Sequence, residues 1–340
     1  MLGLRPNSTF PLLQQRLYPT RAHLKLNPLK LYVGITDYHW FHLHASKQTV
    51  EEVNFWRPSS RLGFNVLQWD EPFLFKLHAP NNFIVGGGFF TKFLRLPVSL
   101  AWETFGEANG ATSLDEVRRR ISKYRRQPIE PQDDPQIGCI LLEEPFFFEK
   151  DDWIPSPPDF KGPTQMGKSY EMLSGTGALL WREVTDRLER AKVKTLGPAT
   201  GAAKESARFG RPHLVSPRLG QGSFRVLVTD AYEYRCSMTA ERTLPVLEAA
   251  HIRPYASEGK HELSNGLLLR SDLHKLFDLG YLTVNPDDKK IVVSPRIREE
   301  YENGRDYYAL HGRELAQPQN TLAFPSLENL NYHAENIFRS

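Results

Sequence analysis

The sequence predicts an α+β protein of two domains, in which a β-rich amino-terminal domain precedes a carboxyl-terminal domain built on a strand–loop–strand–helix unit. Three observations favour this class. Apolar runs of strand length alternate with Pro-, Asn- and Gly-rich loops over residues 30–185. A basic segment with scattered Pro and Gly covers residues 186–222. Two short apolar runs and an amphipathic helix pattern follow within residues 223–340.

The amino-terminal end is basic. Its first 29 residues contain no acidic side chain and four basic ones, Arg5, Arg16, Arg21 and Lys25. Such composition mimics a transit peptide, but no cleavage signal accompanies it. We therefore expect residues 1–29 to form a poorly ordered leader, or to follow from a start codon placed too early.

No apolar run reaches the roughly 18 residues that a membrane span needs. Two cysteines 97 positions apart indicate a reducing, cytoplasmic setting.

Strand patterns dominate residues 30–185. Four segments are predicted as strands, LKLYVGI, FLFKLH, NFIVGGGFF and GCILLEEPFFF. Between them, SLDEVRRRISKY carries a capping box of Ser113 and Glu116 and a helical apolar stripe. Glycines 86–88 indicate a bulge or a close backbone approach within a strand. Together these elements predict a compact domain with a curled sheet.

The most informative stretch runs from Cys236 to Gly280. Val246 to Ile252 is apolar with β-branched members and no internal Gly, which favours a strand, and Gly266 to Leu269 predicts a second one after a polar loop. Ser271 is the expected N-cap of a short helix. Three polar residues fall on these elements in a fixed order, 14 and then 9 positions apart: His251, Asn265 and His274.

This order resembles the HNH (ββα-metal) nuclease motif, and LLLRSDLHKLFD fits the helix of that family closely. The resemblance implies that His251 is the general base, that Asn265 steadies the loop carrying the base, and that His274 binds one divalent metal ion. Asp278 lies one helical turn after His274 and is a second candidate ligand suited to Mg²⁺ or Mn²⁺. The alternative interpretation is that these are ordinary core residues with satisfied hydrogen bonds.

Two features depart from the family pattern. Many HNH nucleases carry Asp or His immediately before the base, whereas this chain has Ala250, which leaves Glu248 as an outside candidate ligand. Many relatives also hold a structural zinc ion with paired cysteines. Cys139 and Cys236 are the only cysteines here, so a four-cysteine zinc site is impossible.

Basic residues point to a nucleic-acid partner. Between Arg187 and Arg225 there are nine Lys or Arg and two Glu, although a solvated linker of ordinary charge is the alternative interpretation. Such side chains can follow phosphates without reading sequence. The candidates for phosphate contact near the nuclease motif are Arg218, Arg225, Arg253, Arg270 and Lys275.

The amino-terminal domain carries a second resemblance. QWDEPFLFKLHAPNNFIVGGGFF, LAWETFGEANG and DDWIPSPPDFKGPTQMGKSY resemble the amino-terminal domain of bacterial HNH restriction endonucleases. The run from Trp69 to Phe90 also looks like the PUA-like group, which includes EVE, SRA and YTH domains. That likeness implies a reader that holds a flipped base in an aromatic-lined pocket. The candidate pocket residues are Tyr38, Trp40, Trp56, Trp69, Asp70, Asn82 and Trp102; their alternative role is to fill the core.

The sequence thus predicts a PUA-like domain joined to a ββα-metal (HNH) nuclease domain. The expected function is Mg²⁺- or Mn²⁺-dependent cleavage of double-stranded DNA by a restriction enzyme that reads a modified base such as modified cytosine. A nuclease for an unmodified sequence and a DNA-binding protein with a silent nuclease fold are the alternatives. Because one such site cuts one strand at a time, double-strand cleavage favours a homodimer or two binding events.

Overall fold

The computed structural model describes residues 29–126, 128–130, 132–160, 167–196, 220–254, 257, 259 and 261–340. The chain divides into two compact units, residues 1–209 and 210–340. The predicted leader lies outside the described residues except for residue 29. Within the described ranges, no helix is long and apolar enough to cross a membrane.

A seven-stranded sheet forms the framework of the amino-terminal unit. The strands are β1 (Lys30–Thr36), β2 (Glu52–Arg57), β3 (Pro72–Leu77), β4 (Phe83–Pro97), β5 (Gln136–Phe147), β6 (Ile154–Pro155) and β7 (Gly167–Glu171). The helices are α1 (Tyr38–Ala45), α2 (Val98–Phe105), α3 (Leu114–Arg125) and α4 (Gly175–Leu196). The strand order is β2-β5-β4-β3-β1-β7, with β6 paired to β4. β1 and β3 are parallel, and the other pairs are antiparallel.

Alternating side chains of the sheet pack into two separate cores, because successive residues of a strand point to opposite faces. Leu74 of β3 packs in the core that includes Trp181 and Val184 of α4. Phe73 and Phe75 of the same strand pack in the other core, with Trp40 of α1 among its residues. Both faces of the sheet are therefore covered, which explains the continuous apolar runs of the sequence.

Two local predictions for this unit are confirmed. The strand register shifts next to Gly87, and a Cβ atom on Gly86 would lie 2.2 Å from the carbonyl oxygen of Phe146. The glycine run therefore permits a close backbone approach at an irregular point of the sheet. Of the predicted capping box, the Ser113 half is confirmed: Ser113 accepts a hydrogen bond from the Glu116 N–H at 3.2 Å, whereas the Glu116 carboxylate accepts from the Thr112 N–H at 2.7 Å.

Helix α4 continues past residue 185, where the sequence analysis places the end of the amino-terminal domain, and reaches Leu196. Leu180, Val184 and Leu188 of this helix pack in the amino-terminal core, and that packing holds the helix to this unit. The predicted domain end at residue 185 therefore falls inside helix α4. Residues 197–219 of the predicted basic linker lie outside the described residues.

The carboxyl-terminal unit surrounds the predicted strand–loop–strand–helix. The strands are β8 (Leu247–His251), β9 (Gly266–Arg270), β10 (Leu282–Val284) and β11 (Ile291–Val293). The helices are α5 (Gln221–Ala231), α6 (Ser271–Asp278), α7 (Arg296–Tyr301), α8 (Arg305–Tyr308) and α9 (Leu327–Asn336). β8 pairs with β9, and β10 pairs with β11, both in antiparallel fashion. One apolar core joins these elements, which confirms the α+β class.

Helix α6 begins at Ser271 itself, so Arg270 and not Ser271 occupies the N-cap position. The prediction was wrong by one residue because Arg270 already has the extended backbone of strand β9, with φ −66° and ψ 142°. The C-terminal end matches the expected glycine stop. Gly280 has a φ of 79°, and its N–H donates to the Phe277 carbonyl at 3.0 Å.

Candidate functional site

His251 is the last residue of β8 and pairs in register with Gly266 of β9. A Cβ atom on Gly266 would lie 2.4 Å from Val228 and 3.1 Å from the Phe224 ring, both on α5. The missing side chain therefore lets α5 approach the strands closely. Phe224 stacks on the His251 imidazole, with 4.1 Å between the ring centroids and 10° between the planes. This contact fixes the plane of the imidazole.

A second histidine contacts the first. Nε2 of His251 lies 2.8 Å from Nδ1 of His261, which belongs to the loop between β8 and β9. The pKa of His251 is lowered to about 4, mainly by burial and in addition by the nearby rings of His261 and His274. The His251 imidazole is therefore neutral at neutral pH, and a neutral imidazole can accept a proton.

Asn265 fastens the start of this loop to its end. Its side-chain oxygen accepts a hydrogen bond from the Arg253 N–H at 2.8 Å, and its amide donates to the Arg253 carbonyl at 3.0 Å. Its own carbonyl accepts from the Ile252 N–H at 2.9 Å. Asn265 is buried, with 1% of its surface exposed. These bonds hold the backbone that follows His251.

His274 lies between two carboxylates. Its Nδ1 is 2.6 Å from Oε2 of Glu248 on β8, and its Nε2 is 3.3 Å from Oδ2 of Asp278 on the same helix. Burial raises the pKa of Asp278, and the Glu248 carboxylate adds to that rise against the opposing effect of His274 and Lys275. Ala250 is fully buried. Glu248 places a carboxylate against His274, whereas Ala250 offers no ligand atom.

The donor types of this cluster fit a hard divalent cation. One imidazole and two carboxylates are ligands that Mg²⁺ and Mn²⁺ accept. Their atoms contact one another, however, and no three His, Cys, Asp or Glu side chains of the described residues are arranged as a metal-binding group. An imidazole binds a metal through a nitrogen lone pair, so the cation competes with a carboxylate for one nitrogen of His274.

Two of the predicted DNA contacts are engaged within the protein. The Arg270 guanidinium binds the Asp272 carboxylate through two hydrogen bonds of 2.6 and 2.7 Å. The Arg253 guanidinium donates to the Ser257 carbonyl at 2.7 Å and lies 4.4 Å from the Tyr332 ring centroid. Both side chains therefore have a structural role in this unit.

The other three predicted DNA contacts differ from these. Arg218 lies outside the described residues. Arg225 is half-buried on α5, and Lys275 is exposed on α6, one residue after His274. Lys275 is thus the exposed cation adjacent to the candidate metal ligand.

A pocket of about 770 Å³ opens in the amino-terminal unit where β1, β2 and β3 end. Its lining residues include Asp37, Trp56, Arg57, Ser59, Arg61 and Tyr124. The indole N–H of Trp56 donates to the Asn109 carbonyl at 2.9 Å, and its ring meets the edge of Tyr124 at 6.1 Å. The Arg125 guanidinium donates to the Pro58 carbonyl at 2.6 Å and so anchors the loop after β2. Aromatic faces, cations and hydroxyls therefore converge on this pocket.

Of the seven predicted pocket residues, Trp40 and Trp56 line it. Trp40 is only 3% exposed and packs edge-on against Phe55 and Phe75, so it is mainly a core residue. The other five do not line this pocket: Tyr38, Trp69, Asp70, Asn82 and Trp102.

The positions of these five residues explain why they do not line the pocket. Tyr38 and Trp69 are exposed, and Tyr38 stacks on His42 of its own helix. Asp70 and Asn82 occupy turns with positive φ, where Asn82 accepts a hydrogen bond from the Lys76 ammonium at 2.9 Å. Trp102 lies on α2, away from the strand ends that form the pocket.

Comparisons with known proteins agree with the carboxyl-terminal assignment. Residues 236–285 match the family model described as HNH endonuclease. Among solved structures, the ASCH protein from Zymomonas mobilis is 11% identical, and the match covers 46% of this chain and 94% of that one with a TM-score of 0.26. The modification-dependent TagI restriction endonuclease is 14% identical over 78% of this chain, with a TM-score of 0.25, and the match spans 62% of that enzyme. No curated protein matches the chain.

Proposed function

We propose that this chain is a metal-dependent DNA endonuclease in which His251 activates the water that attacks a phosphodiester bond. One observation carries the proposal. His251 ends strand β8, its imidazole stacks on Phe224 at 4.1 Å, and its Nε2 lies 2.8 Å from Nδ1 of His261. The HNH endonuclease domain at residues 236–285 supports nuclease activity in general.

The residues around His251 support defined roles. The neutral imidazole accepts a proton from water, and Asn265 keeps the following backbone in place through its bonds to Arg253. His274, Asp278 and Glu248 would hold Mg²⁺ or Mn²⁺, which supplies positive charge to a phosphate when bound. Lys275 and Arg225 are suited to contact neighbouring phosphates, and Arg218 is a further candidate in the basic segment.

The amino-terminal pocket supports a reading function. Trp56 and Tyr124 offer ring surfaces for a base, and Asp37, Ser59 and Arg57 offer polar groups for its edge. We infer that this pocket holds a flipped modified base, with modified cytosine as the first candidate. The chain would then be a modification-dependent restriction enzyme of the cytoplasm.

Cleavage of matched DNA substrates tests both halves of this proposal. Otherwise identical duplexes contain cytosine, 5-methylcytosine or 5-hydroxymethylcytosine and are incubated with Mg²⁺ or Mn²⁺, or with a chelator. We expect metal-dependent cutting of a modified duplex, loss of cutting in His251→Ala, and normal cutting in the exposed control His42→Ala. Equal cutting of all duplexes would indicate a nuclease for unmodified DNA. Unchanged cutting by His251→Ala would contradict the assigned base.

Absence of cutting on every substrate, with DNA binding retained, would indicate a silent nuclease fold. Cutting would also be absent if the substrates lacked the modified base that the enzyme requires. The contacts of His274 with two carboxylates are a separate reason for an inactive site, so the two causes must be distinguished. DNA-binding measurements on the same duplexes make the separation. Preferential binding of a modified duplex without cutting would support recognition of the modified base and contradict the proposed nuclease activity.

Double-strand cleavage by one such site needs two copies or two binding events. We propose a homodimer on DNA, and sedimentation of the enzyme with its substrate tests it. A complex of two chains per duplex during double-strand cutting is expected. Complexes of one chain per duplex alone would contradict the dimer.

A further inference from the structure

We infer that His261 is a positioning residue that accepts a hydrogen bond from Nε2–H of His251 and so keeps the Nδ1 lone pair of His251 available for a proton. The inference rests on the proposed function of His251 as a general base. His261 belongs to no part of the His251, Asn265 and His274 pattern. The 2.8 Å contact between the two rings is the observation that assigns its role.

The contact lies in a constrained part of the loop. Phe224 stacks on the His251 ring at 4.1 Å and also lies 5.6 Å from the His261 ring, at 53°. The two histidines meet edge to face, with 4.8 Å between centroids and 60° between planes. Asn265 bonds to Arg253 and closes the loop on either side of His261. The relative position of the two imidazoles is therefore set by packing on α5 and by the loop backbone.

A neutral imidazole has one N–H and one lone pair, so one of these two rings must donate and the other must accept. If His261 donates from Nδ1, then Nε2 of His251 is the acceptor and the proton of His251 is on Nδ1. His251 then has no lone pair left for water. If His251 donates from Nε2, its Nδ1 carries the lone pair and can accept a proton. Only the second arrangement is compatible with a general base.

The second arrangement also suits the protonated state of His251. When Nδ1 takes a proton from water, the ring becomes an imidazolium with an N–H on each nitrogen. Nε2–H continues to donate to the lone pair of His261 Nδ1, so no proton has to leave that contact. A hydrogen bond from a charged donor is stronger than one between neutral groups. His261 thus orients the base before proton transfer and stabilises its charge afterwards.

Nitrogen protonation in the intact protein tests this inference directly. In the full-length chain labelled with ¹⁵N-histidine, long-range proton–nitrogen correlations at neutral pH show which ring nitrogen carries hydrogen, and His251→Ala and His261→Leu assign the two rings. We expect His251 to be protonated on Nε2 and His261 to be unprotonated on Nδ1. A proton on Nδ1 of His251 overturns the inference, whatever the nuclease activity is.

Cleavage kinetics give an independent readout with matched variants. His261→Leu removes the acceptor, whereas His261→Asn keeps an oxygen acceptor near the position of Nδ1. We expect the rate at saturating DNA to fall at least about tenfold in His261→Leu, as a part of the roughly 100- to 10,000-fold that a general base contributes. DNA affinity should stay unchanged, and His261→Asn should recover most of the rate.

The two readouts separate this inference from the proposed function. A normal rate in His261→Leu overturns the positioning role while leaving His251 as the base. Unchanged cleavage in His251→Ala overturns the function itself, although the protonation measurement still reports the contact. If His261→Leu does not fold, His261→Asn and the protonation state of the unsubstituted chain decide the outcome.

Discussion

The Glu248 carboxylate lies 2.6 Å from Nδ1 of His274, and this contact joins strand β8 to helix α6. Glu248 and Ala250 lie two positions apart on that strand, so their side chains share one face. On that face Ala250 is fully buried in the apolar core, whereas the longer Glu248 side chain is half-exposed and reaches His274. This relationship gives the candidate metal site its second carboxylate besides Asp278.

Glu248→Ala is expected to weaken the response to metal more than it weakens the fold. The carboxylate is half-exposed, so its loss should cost less than about 1 kcal/mol of stability. Loss of a metal ligand should raise the Mg²⁺ concentration for half-maximal cleavage at least about tenfold. A metal titration measures this shift, with the exposed Glu335→Ala on α9 as the control. An unchanged titration curve would remove Glu248 from the metal site.

Asn265→Ala is expected to destabilise the carboxyl-terminal unit. It leaves the N–H and carbonyl of Arg253 without their side-chain partner in a partly buried loop. Each unsatisfied buried group costs about 1–3 kcal/mol. Denaturation followed by far-ultraviolet circular dichroism measures the loss, with the exposed Asn303→Ala as the control. Equal stability of the two variants would show that the loop does not depend on this amide.

The elements around His251 are predictable because their sequence signals are local. A short, mainly apolar run flanked by Val246 and Ile252 gives β8, and Gly280 gives the end of α6 through its positive φ. Contacts between distant segments cannot be predicted in this way. Phe224 precedes His251 by 27 residues, and His261 lies in a loop with no periodic pattern. No local signal ties either residue to the histidine that it contacts.

The residues that line the amino-terminal pocket are even harder to predict from local sequence signals. Its lining comes from the ends of separate strands, the loop after β2 and helix α3. The order in which those strands lie in the sheet decides which residues meet, and composition does not encode that order. Aromatic character alone selected Trp69, which is exposed in a turn, and missed Tyr124 on α3. The same criterion selected Trp56, which lines the pocket because it lies near the end of β2.

Gly266→Ala should disrupt the packing of α5 on strands β8 and β9. The added Cβ would lie 2.4 Å from Cγ2 of Val228, and relief requires movement of the helix that carries Phe224. Overpacking of this kind costs about 1–3 kcal/mol. Thermal unfolding by circular dichroism measures it. Gly63→Ala is the matched control, since its Cβ would approach no atom closer than 3.8 Å. Similar melting of both variants would contradict the close contact.

His44 makes the amino-terminal unit sensitive to acid. Its ring is fully buried with neither nitrogen hydrogen-bonded, and burial, followed by the charges of Lys47 and Arg120, lowers its pKa to about 3. The unfolded chain takes up a proton near pH 6.5, but the folded chain does not until about pH 3. The contribution of His44 to stability is thus constant above that upper pH and falls as the pH drops through the window.

His44→Phe should remove this dependence. The variant should gain about 2 kcal/mol of unfolding free energy relative to the unsubstituted chain between pH 7 and pH 5. All six tryptophans lie in the amino-terminal unit, so their fluorescence reports its unfolding. His42→Phe, on the exposed side of the same helix, should show no such gain. A parallel loss of stability with acid in His44→Phe and the unsubstituted chain would count against a neutral buried His44.

Trp56→Ala should separate reading from cutting. Trp56 lines the amino-terminal pocket and contacts the Tyr124 ring, whereas Trp69 is a tryptophan of the same unit outside that pocket. Loss of a stacking surface costs about 1–3 kcal/mol per base, which corresponds to roughly 5- to 150-fold weaker binding. We expect that loss for modified DNA in Trp56→Ala and none in Trp69→Ala, while binding to unmodified DNA stays unchanged in both. Equal weakening of both duplexes by Trp56→Ala would mean that the side chain supports the fold and does not read a base.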